Sequence, residues 1–203
     1  MTDLNALSSN LSSWSVLWNL FLALLPGLGS YLLLRSPRLP WPLVIAGIGL
    51  VILFLPNAPY LLTDFIHLFE FEQQQPRPIS LAVSVYLAIA FLGMLSYSGT
   101  LVNLRRIWGL LGQAQTWPVV MFGLHSLSAW GVWLGRSLRL NSWDLLDHPQ
   151  RVIREAVALL VHLDYWGELF SLALLLALSH QLLQHLYWPQ IRHDSLRQFD
   201  RRL

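Results

Sequence analysis

The carboxylate of Asp64 and the imidazole of His67 are the two side chains in this chain best spaced for chemistry. Residues three apart lie on one face of a helix, so the two groups could exchange protons as an acid–base pair. They could also be two ligands of a metal ion completed by Asp144, Asp147 or His148. In the third interpretation both side chains bond only to backbone and neighbours. Asp64 and His67 are therefore catalytic candidates, no metal site is predicted, and the cofactor is unknown.

Arg136 and Arg139 also share a helix face and form the second candidate group. Guanidinium groups hold phosphate or carboxylate through paired hydrogen bonds, and free N–H groups of a helix beginning after Asn57 would assist them. Alternatively, the two arginines pair with Asp144, Asp164 or Glu168 and clamp the fourth and fifth spans together. The predicted ligand-binding residues are Asn57, Arg136, Arg139, Asn141 and Asp144.

The segment 53–71, which carries the first candidate pair, is interrupted by two prolines. Pro56 and Pro59 lack backbone donors and disfavour helix at the residues before them. Asn57 is a suitable N-cap for a helix that resumes near Ala58, because proline is tolerated in a first turn. The pattern predicts a broken helix whose second half begins with exposed N–H groups.

The composition indicates that lipid is the solvent of this chain. Of its 203 residues 55% are hydrophobic and 12% are charged, with a mean hydropathy of +0.49. That charged fraction is about half the usual one for a soluble domain. The absence of cysteine and lysine excludes disulfides, a Schiff base and a P-loop. The scattered arginines form no basic face, so nucleic acid is not an expected partner.

Five segments are apolar enough to suggest crossings of a bilayer, which requires about 20 residues each. The sequence therefore predicts an all-α fold, a polytopic membrane helix bundle in one domain over residues 1–203. The predicted spans are 14–34, 41–55 with its resumed half 58–71, 79–102, 117–135 and 166–187. Segment 149–163 is predicted to be an amphipathic helix in the interface, with a sixth span as the alternative.

The arginines divide unequally between the two sides that five spans create. One side collects Arg35, Arg38, Arg105, Arg106, Arg192, Arg197, Arg201 and Arg202, and the other collects Arg77, Arg136, Arg139, Arg151 and Arg154. The positive-inside rule then places the amino terminus outside and the carboxyl terminus in the cytoplasm. Loops two and four share a side, so the candidate residues of 57–70 and 136–148 are predicted to meet on the outer face.

Two histidines lie inside predicted spans. His125 and His180 are each about 11–12 Å from the same end of their helices. They could form a proton relay, since ionisable groups inside a membrane are commonly functional. The alternative is a pair of neutral histidines hydrogen-bonded across helices. Gly131-x-x-x-Gly135 is a packing surface for either an internal helix or a second copy.

Three strings carry a resemblance to a known family. They are Trp18-Asn-Leu-Phe-Leu-Ala23, Phe54-Leu-Pro-Asn-Ala-Pro-Tyr-Leu-Leu-Thr-Asp64 and Gly135-Arg-x-x-Arg-Leu-Asn-Ser-Trp-Asp144. With them the chain resembles the domain of unknown function 1361 (DUF1361) family of bacterial multi-pass membrane proteins. The resemblance implies a small protein of a bacterial plasma membrane. It implies no activity, cofactor or catalytic residue.

The sequence therefore predicts a membrane protein with a polar pocket on its outer face. An accessory or small-ligand-binding role is the leading expectation. The alternatives are a small transporter of an anionic solute and a membrane enzyme acting on a lipid or isoprenoid phosphate headgroup. The lipid bilayer is the expected partner, and a homo-oligomer or a membrane-protein partner is left open.

Overall fold

A computed structural model describes residues 2–36, 38–63, 79–138 and 144–187, and these residues form only helices, turns and short connections. The α-helices are α1 (Thr2–Arg35), α2 (Trp41–Phe54), α3 (Asn57–Tyr60), α4 (Ile79–Leu110), α5 (Trp117–Leu138), α6 (Asp144–Asp147), α7 (Pro149–Val161) and α8 (Trp166–Tyr187). Short 3₁₀ turns, Ala114–Thr116 and Leu163–Tyr165, lead into α5 and α8. The predicted all-α membrane bundle is confirmed.

Four stretches within the described helices are long and apolar enough to cross a membrane. They are Val16–Arg35, Trp41–Tyr60, Val83–Leu110 and Leu163–Leu186. The remaining predicted span, α5, has 22 residues, buries His125 and Ser128, and is not among these four stretches. It packs against both α4 and α8, and its crossing of the bilayer stays a prediction.

Hydrogen bonds between helices fix their directions. Ala23 pairs with Ser96, and Ser30 pairs with Asn103, so α1 and α4 run parallel. Tyr97 meets His125, and the indole of Trp108 donates to Thr116, so α4 and α5 run antiparallel. Trp133 of α5 meets Glu168 near the start of α8, so α8 runs antiparallel to α5.

These directions give the bundle two distinct ends. The end that holds Arg35, Arg105, Arg106, the start of α5 and the finish of α8 is called the Arg105 end. The opposite end, with the finish of α5, all of α6 and α7, and the start of α8, is called the Arg136 end. The described arginines divide between the ends as the sequence predicted.

The proline break in the second span is confirmed, but the chain stays helical through it. Helix α2 stops at Phe54 and α3 begins at Asn57, while Leu55 and Pro56 keep right-handed helical dihedrals (φ −53°, ψ −41° and φ −63°, ψ −23°). The N–H groups of Leu55 and Ala58 bond three residues back, to Ile52 and Leu55. The tightened turn thus uses the carbonyl groups that the prolines leave free, and the N-cap is Pro56 rather than the predicted Asn57.

Two glycines allow α3 to lie deep in the bundle. A Cβ atom added to Gly131 of α5 would lie 2.5 Å from Cβ and Cγ of Pro56, and one added to Gly93 of α4 would meet the carbonyl oxygen of Ala58. Small residues let helices approach closely in membranes. Gly131 therefore serves intramolecular packing, one of the two roles that its motif left open. Ala58 and Leu61 are consequently fully buried.

Helix α7 has 13 residues, too few for a sixth span. His148 is its N-cap and Pro149 its first residue. Leu159 is buried on one face, while Ile153, Val157 and Val161 form an exposed apolar stripe on another. Two exposed arginines, Arg151 and Arg154, lie on the remaining face. This distribution is typical of a helix that lies along a membrane interface.

Candidate functional site

The structure describes three of the predicted ligand-binding residues: Asn57, Arg136 and Asp144. Arg139 and Asn141 lie outside the described residues, as do the catalytic candidates Asp64 and His67. The convergence of all seven side chains on one pocket therefore stays a prediction. A pocket formed by all seven would have to include the positions of the three described residues.

Asn57 is used inside the break of the second span. Its side-chain amide donates to the carbonyl oxygen of Phe54 at 3.1 Å. That carbonyl lies in the last turn of α2. In a regular helix the N–H of Ala58 would donate to it, but here this N–H donates to the carbonyl of Leu55 instead. One amide hydrogen of Asn57 is therefore engaged in the turn.

Arg136 lies on the last turn of α5 with an exposed side chain. The clamp interpretation pairs Arg136 with Asp144, Asp164 or Glu168, and among the described residues Arg136 makes no ion pair. Instead the indole N–H of Trp133 donates to the carboxylate of Glu168 at 3.2 Å. The ring of Trp133 also packs on Tyr165, with ring centroids 4.9 Å apart. An aromatic contact and a neutral donor thus hold the ends of α5 and α8 together.

An open groove of ≈ 560 Å³ lies between α6 and the first turns of α7. Its lining residues are Asp147, His148, Pro149, Gln150, Arg151 and Arg154. Arg154 also approaches Glu155 at 3.5 Å, with the arginine side chain 75% exposed. An exposed ion pair of this kind contributes little energy, so both arginines can turn toward an anion. The groove is open and carries two arginines in its lining.

A second polar cluster lies inside the bundle, where α4, α5 and α8 meet. The hydroxyl oxygen of Tyr97 is 2.8 Å from Nδ1 of His125, and the rings of His125 and His180 lie 5.7 Å apart. Nδ1 of His180 is 2.9 Å from Oγ of Ser98, and its Nε2 is 2.8 Å from the amide nitrogen of Gln184. Tyr97, Ser98, His125 and His180 are buried.

The sequence indicated the two histidines and their common depth, and the cross-helix hydrogen bonds are confirmed. It did not indicate Tyr97, Ser98 or Gln184. Gln184 lies one turn from His180, at the spacing where helix side chains meet. This spacing was the signal in the sequence that could have indicated a contact between Gln184 and His180.

No group of three or more histidine or acidic side chains suited to a metal ion occurs within 2–36, 38–63, 79–138 and 144–187. The metal interpretation of Asp64 and His67 involves residues beyond these ranges. It therefore stays a prediction.

Comparison with known proteins gives one match. The family model described as "Protein of unknown function (DUF1361)" matches residues 18–179, which include α2 to α7 and the whole intramembrane cluster except Gln184 and His180. No curated protein and no solved structure matches the chain.

Proposed function

The chain belongs to the DUF1361 family, and we propose that it is a non-catalytic membrane protein that binds a small anionic ligand at the Arg136 end of its bundle. The ligand is a phosphate or carboxylate compound bound by guanidinium groups, of which Arg136 makes no ion pair among the described residues. The proposed binding residues are Asn57, Arg136, Arg139, Asn141 and Asp144.

The contact between Pro56 and Gly131 is the observation that carries this proposal. It brings the break of the second span against α5, five residues before Arg136. Five helical residues correspond to about 7.5 Å along the axis. The chain that leaves α3 toward Asp64 and His67 therefore starts close to the height of Arg136. A ligand bound there would contact both elements.

The charge distribution at this end suits an anion. Arg136 is exposed and makes no ion pair with a carboxylate among the described residues, and the groove beside α7 adds Arg151 and Arg154. Guanidinium groups bind phosphate and carboxylate in a planar, paired geometry that lysine cannot reproduce. All 13 basic residues of this chain are arginine, which is consistent with recognition of this kind.

We further propose that the Arg136 end faces the outside of a bacterial plasma membrane, with the amino terminus outside. The order of the predicted spans assigns eight of the arginines to the side of the Arg105 end and five to the other side, and positive loops are retained in the cytoplasm. Single cysteines introduced at Arg106 and Arg136 test this orientation, because the chain has no cysteine of its own. Only the second should react with an impermeant maleimide on intact cells.

Ligand binding is tested with purified protein and inorganic pyrophosphate as the probe. Arg136→Ala should abolish the thermal stabilisation that pyrophosphate gives the wild type, and Arg136→Lys should weaken it. Arg106→Ala is the matched control, since Arg106 is an exposed arginine at the opposite end. Equal stabilisation of the wild type and Arg136→Ala would contradict the proposal.

A transporter of an anionic solute is the second candidate, favoured by the interrupted second span. Transporters place substrate sites at such interruptions. Transport predicts that cysteines flanking Pro56 react with impermeant reagents from both sides of the membrane, whereas a binding protein predicts reaction from one side. A headgroup enzyme would depend on Asp64 and His67, and that role stays a prediction.

A further inference from the structure

We propose that Tyr97, Ser98, His125, His180 and Gln184 form a binding site for one proton inside the membrane bundle. This proposal rests on the geometry of the intramembrane cluster and is independent of the anion site at the Arg136 end. The ligand is the proton itself, shared between two imidazoles that face each other across helices α5 and α8.

The cluster lies well inside the bundle. His125 is eight residues from the start of α5 and His180 is seven from the finish of α8, which places both about 11–12 Å from the Arg105 end. Tyr97, Ser98 and His180 have no exposed surface, and His125 is 6% exposed. Ionisable side chains at this depth are rare and commonly functional.

The hydrogen bonds of His180 identify which of its nitrogens can take up a proton. The amide nitrogen of Gln184 faces Nε2 at 2.8 Å, and an amide NH₂ group can only donate. Nε2 is therefore an acceptor, and Nδ1 carries the ring proton that it donates to Ser98 at 2.9 Å. His180 is held as one neutral tautomer with Nε2 available for protonation.

The cluster can accept that proton without losing a hydrogen bond at His180. Protonation makes Nε2 a donor, and rotation of the Gln184 amide by half a turn then offers its carbonyl oxygen as the acceptor. The bond from Nδ1 to Ser98 is unchanged. Gln184 can therefore serve His180 in both protonation states.

His125 has a partner of this kind at Nδ1, the hydroxyl of Tyr97. When Nδ1 lacks a proton it accepts the hydroxyl of Tyr97, and when Nδ1 carries one it donates to the same oxygen. Ser128, which also neighbours the Tyr97 hydroxyl, donates its own hydrogen to the carbonyl of Leu124 at 2.7 Å. Its oxygen can therefore accept from Tyr97 in the second arrangement.

Neighbouring charges restrict the cluster to a single proton. The two imidazole rings are 5.7 Å apart, so two imidazolium ions would repel strongly. From α4, Tyr97 and the cation Arg105 are the titratable and charged groups directed at the pair, and from α5 and α8 they are His125 and His180 themselves. Arg105 is exposed at the membrane end and also opposes a second proton.

The proton reaches the cluster from the Arg105 end. Gln184 is partly exposed and lies one turn farther toward that end than His180. In the other direction, Pro56 packed on Gly131 and the buried Ala58 and Leu61 close the bundle. Among the described residues, the less buried side of the cluster therefore faces the Arg105 end.

The test is a pH titration of the full chain in lipid nanodiscs, followed through the imidazole ¹⁵N resonances. At high pH His180 should show the Nδ1–H tautomer. On acidification the resonances of His125 and His180 should change together, with a combined uptake of one proton. If both rings keep fixed neutral tautomers wherever the protein is folded, or if they take up two protons independently, the proposal is wrong.

Two variants make the test specific. Gln184→Leu removes the acceptor of the charged form, so the protonated fraction at a given low pH should fall about tenfold, the effect of losing one hydrogen bond to a charged group. Gln181→Leu is the matched control on an exposed position of the same helix and should leave the titration unchanged. Identical titrations of the two variants would overturn the role of Gln184, and the wild-type titration decides the proposal if either variant fails to fold.

Discussion

The ring of Pro56 lies against the backbone of Gly131, at a place where no side chain would fit between them. A Cβ atom at Gly131 would be 2.5 Å from two atoms of the proline ring. This contact joins the interrupted second span to α5. It also determines the level along the bundle axis at which α3 lies, shortly before Asp64 in the sequence.

Gly131→Ala should destabilise the protein. The proline ring cannot rotate away, so α3 and α5 must separate, and overpacking of this kind costs about 1–3 kcal/mol. Gly123→Ala, on the same helix, is the control, because a Cβ atom added at Gly123 would have no neighbour within 4 Å. Alanine is also a better helix former than glycine. Thermal unfolding in detergent measures both. Equal midpoints for the two variants would show that the contact does not exist.

Asn57→Asp should also lower stability. The aspartate is nearly the same size but cannot donate to the carbonyl of Phe54, so that oxygen loses its bond inside the bundle. An unsatisfied buried acceptor costs about 1–3 kcal/mol. Asn57→Ala should show a similar loss, measured by the same unfolding assay. Wild-type stability in both variants would show that this hydrogen bond of Asn57 does not stabilise the fold.

Trp133→Phe should weaken the junction of α5 and α8 more than Arg136→Ala does. The phenyl ring keeps the contact with Tyr165 but loses the donor to Glu168, a loss of about 0.5–1.5 kcal/mol. Arg136 forms no ion pair with Asp164 or Glu168 in the described structure, so its removal should leave the unfolding temperature unchanged. The clamp interpretation predicts the reverse order of the two variants.

Tyr97→Phe should cost about 1–2 kcal/mol, because it removes the hydroxyl that pairs with His125 in a buried place. Tyr31→Phe is the control, as Tyr31 is 46% exposed. A double-mutant cycle with His125→Phe isolates the pairwise energy. Additive effects of the two changes would show that the tyrosine and the histidine do not interact.

Local chemistry explains which features the sequence could predict. Proline lacks an N–H wherever it occurs, so the break at Pro56 was visible from the residue alone. The apolar runs and the tryptophans likewise marked helix starts, and Trp41, Trp117 and Trp166 each begin a helix. Helices α1 and α4 extend beyond their predicted spans because helical hydrogen bonds continue outside the apolar segment.

Features that depend on helix rotation and register could not be predicted. Tyr97 meets His125 only because α4 and α5 present these faces to each other, which packing along the whole bundle determines. The same holds for Glu168, whose hydrogen-bond partner among the described residues is Trp133. The sequence also did not predict the tightened turn at Leu55 and Pro56. Prolines indicate that a helix is interrupted, but not which N–H groups bond to the carbonyl groups that they leave free.

The most direct test of the account is whether Asp64 lies beside Arg136. In this cysteine-free chain, Asp64→Cys and Arg136→Cys can be combined and treated with a short bismaleimide in membranes, with protease digestion and mass spectrometry to identify the product. The account predicts a cross-link in this variant and none when Asp64→Cys is combined with Arg106→Cys at the opposite end. Absence of the first cross-link, with both cysteines shown to be reactive, would contradict the shared site.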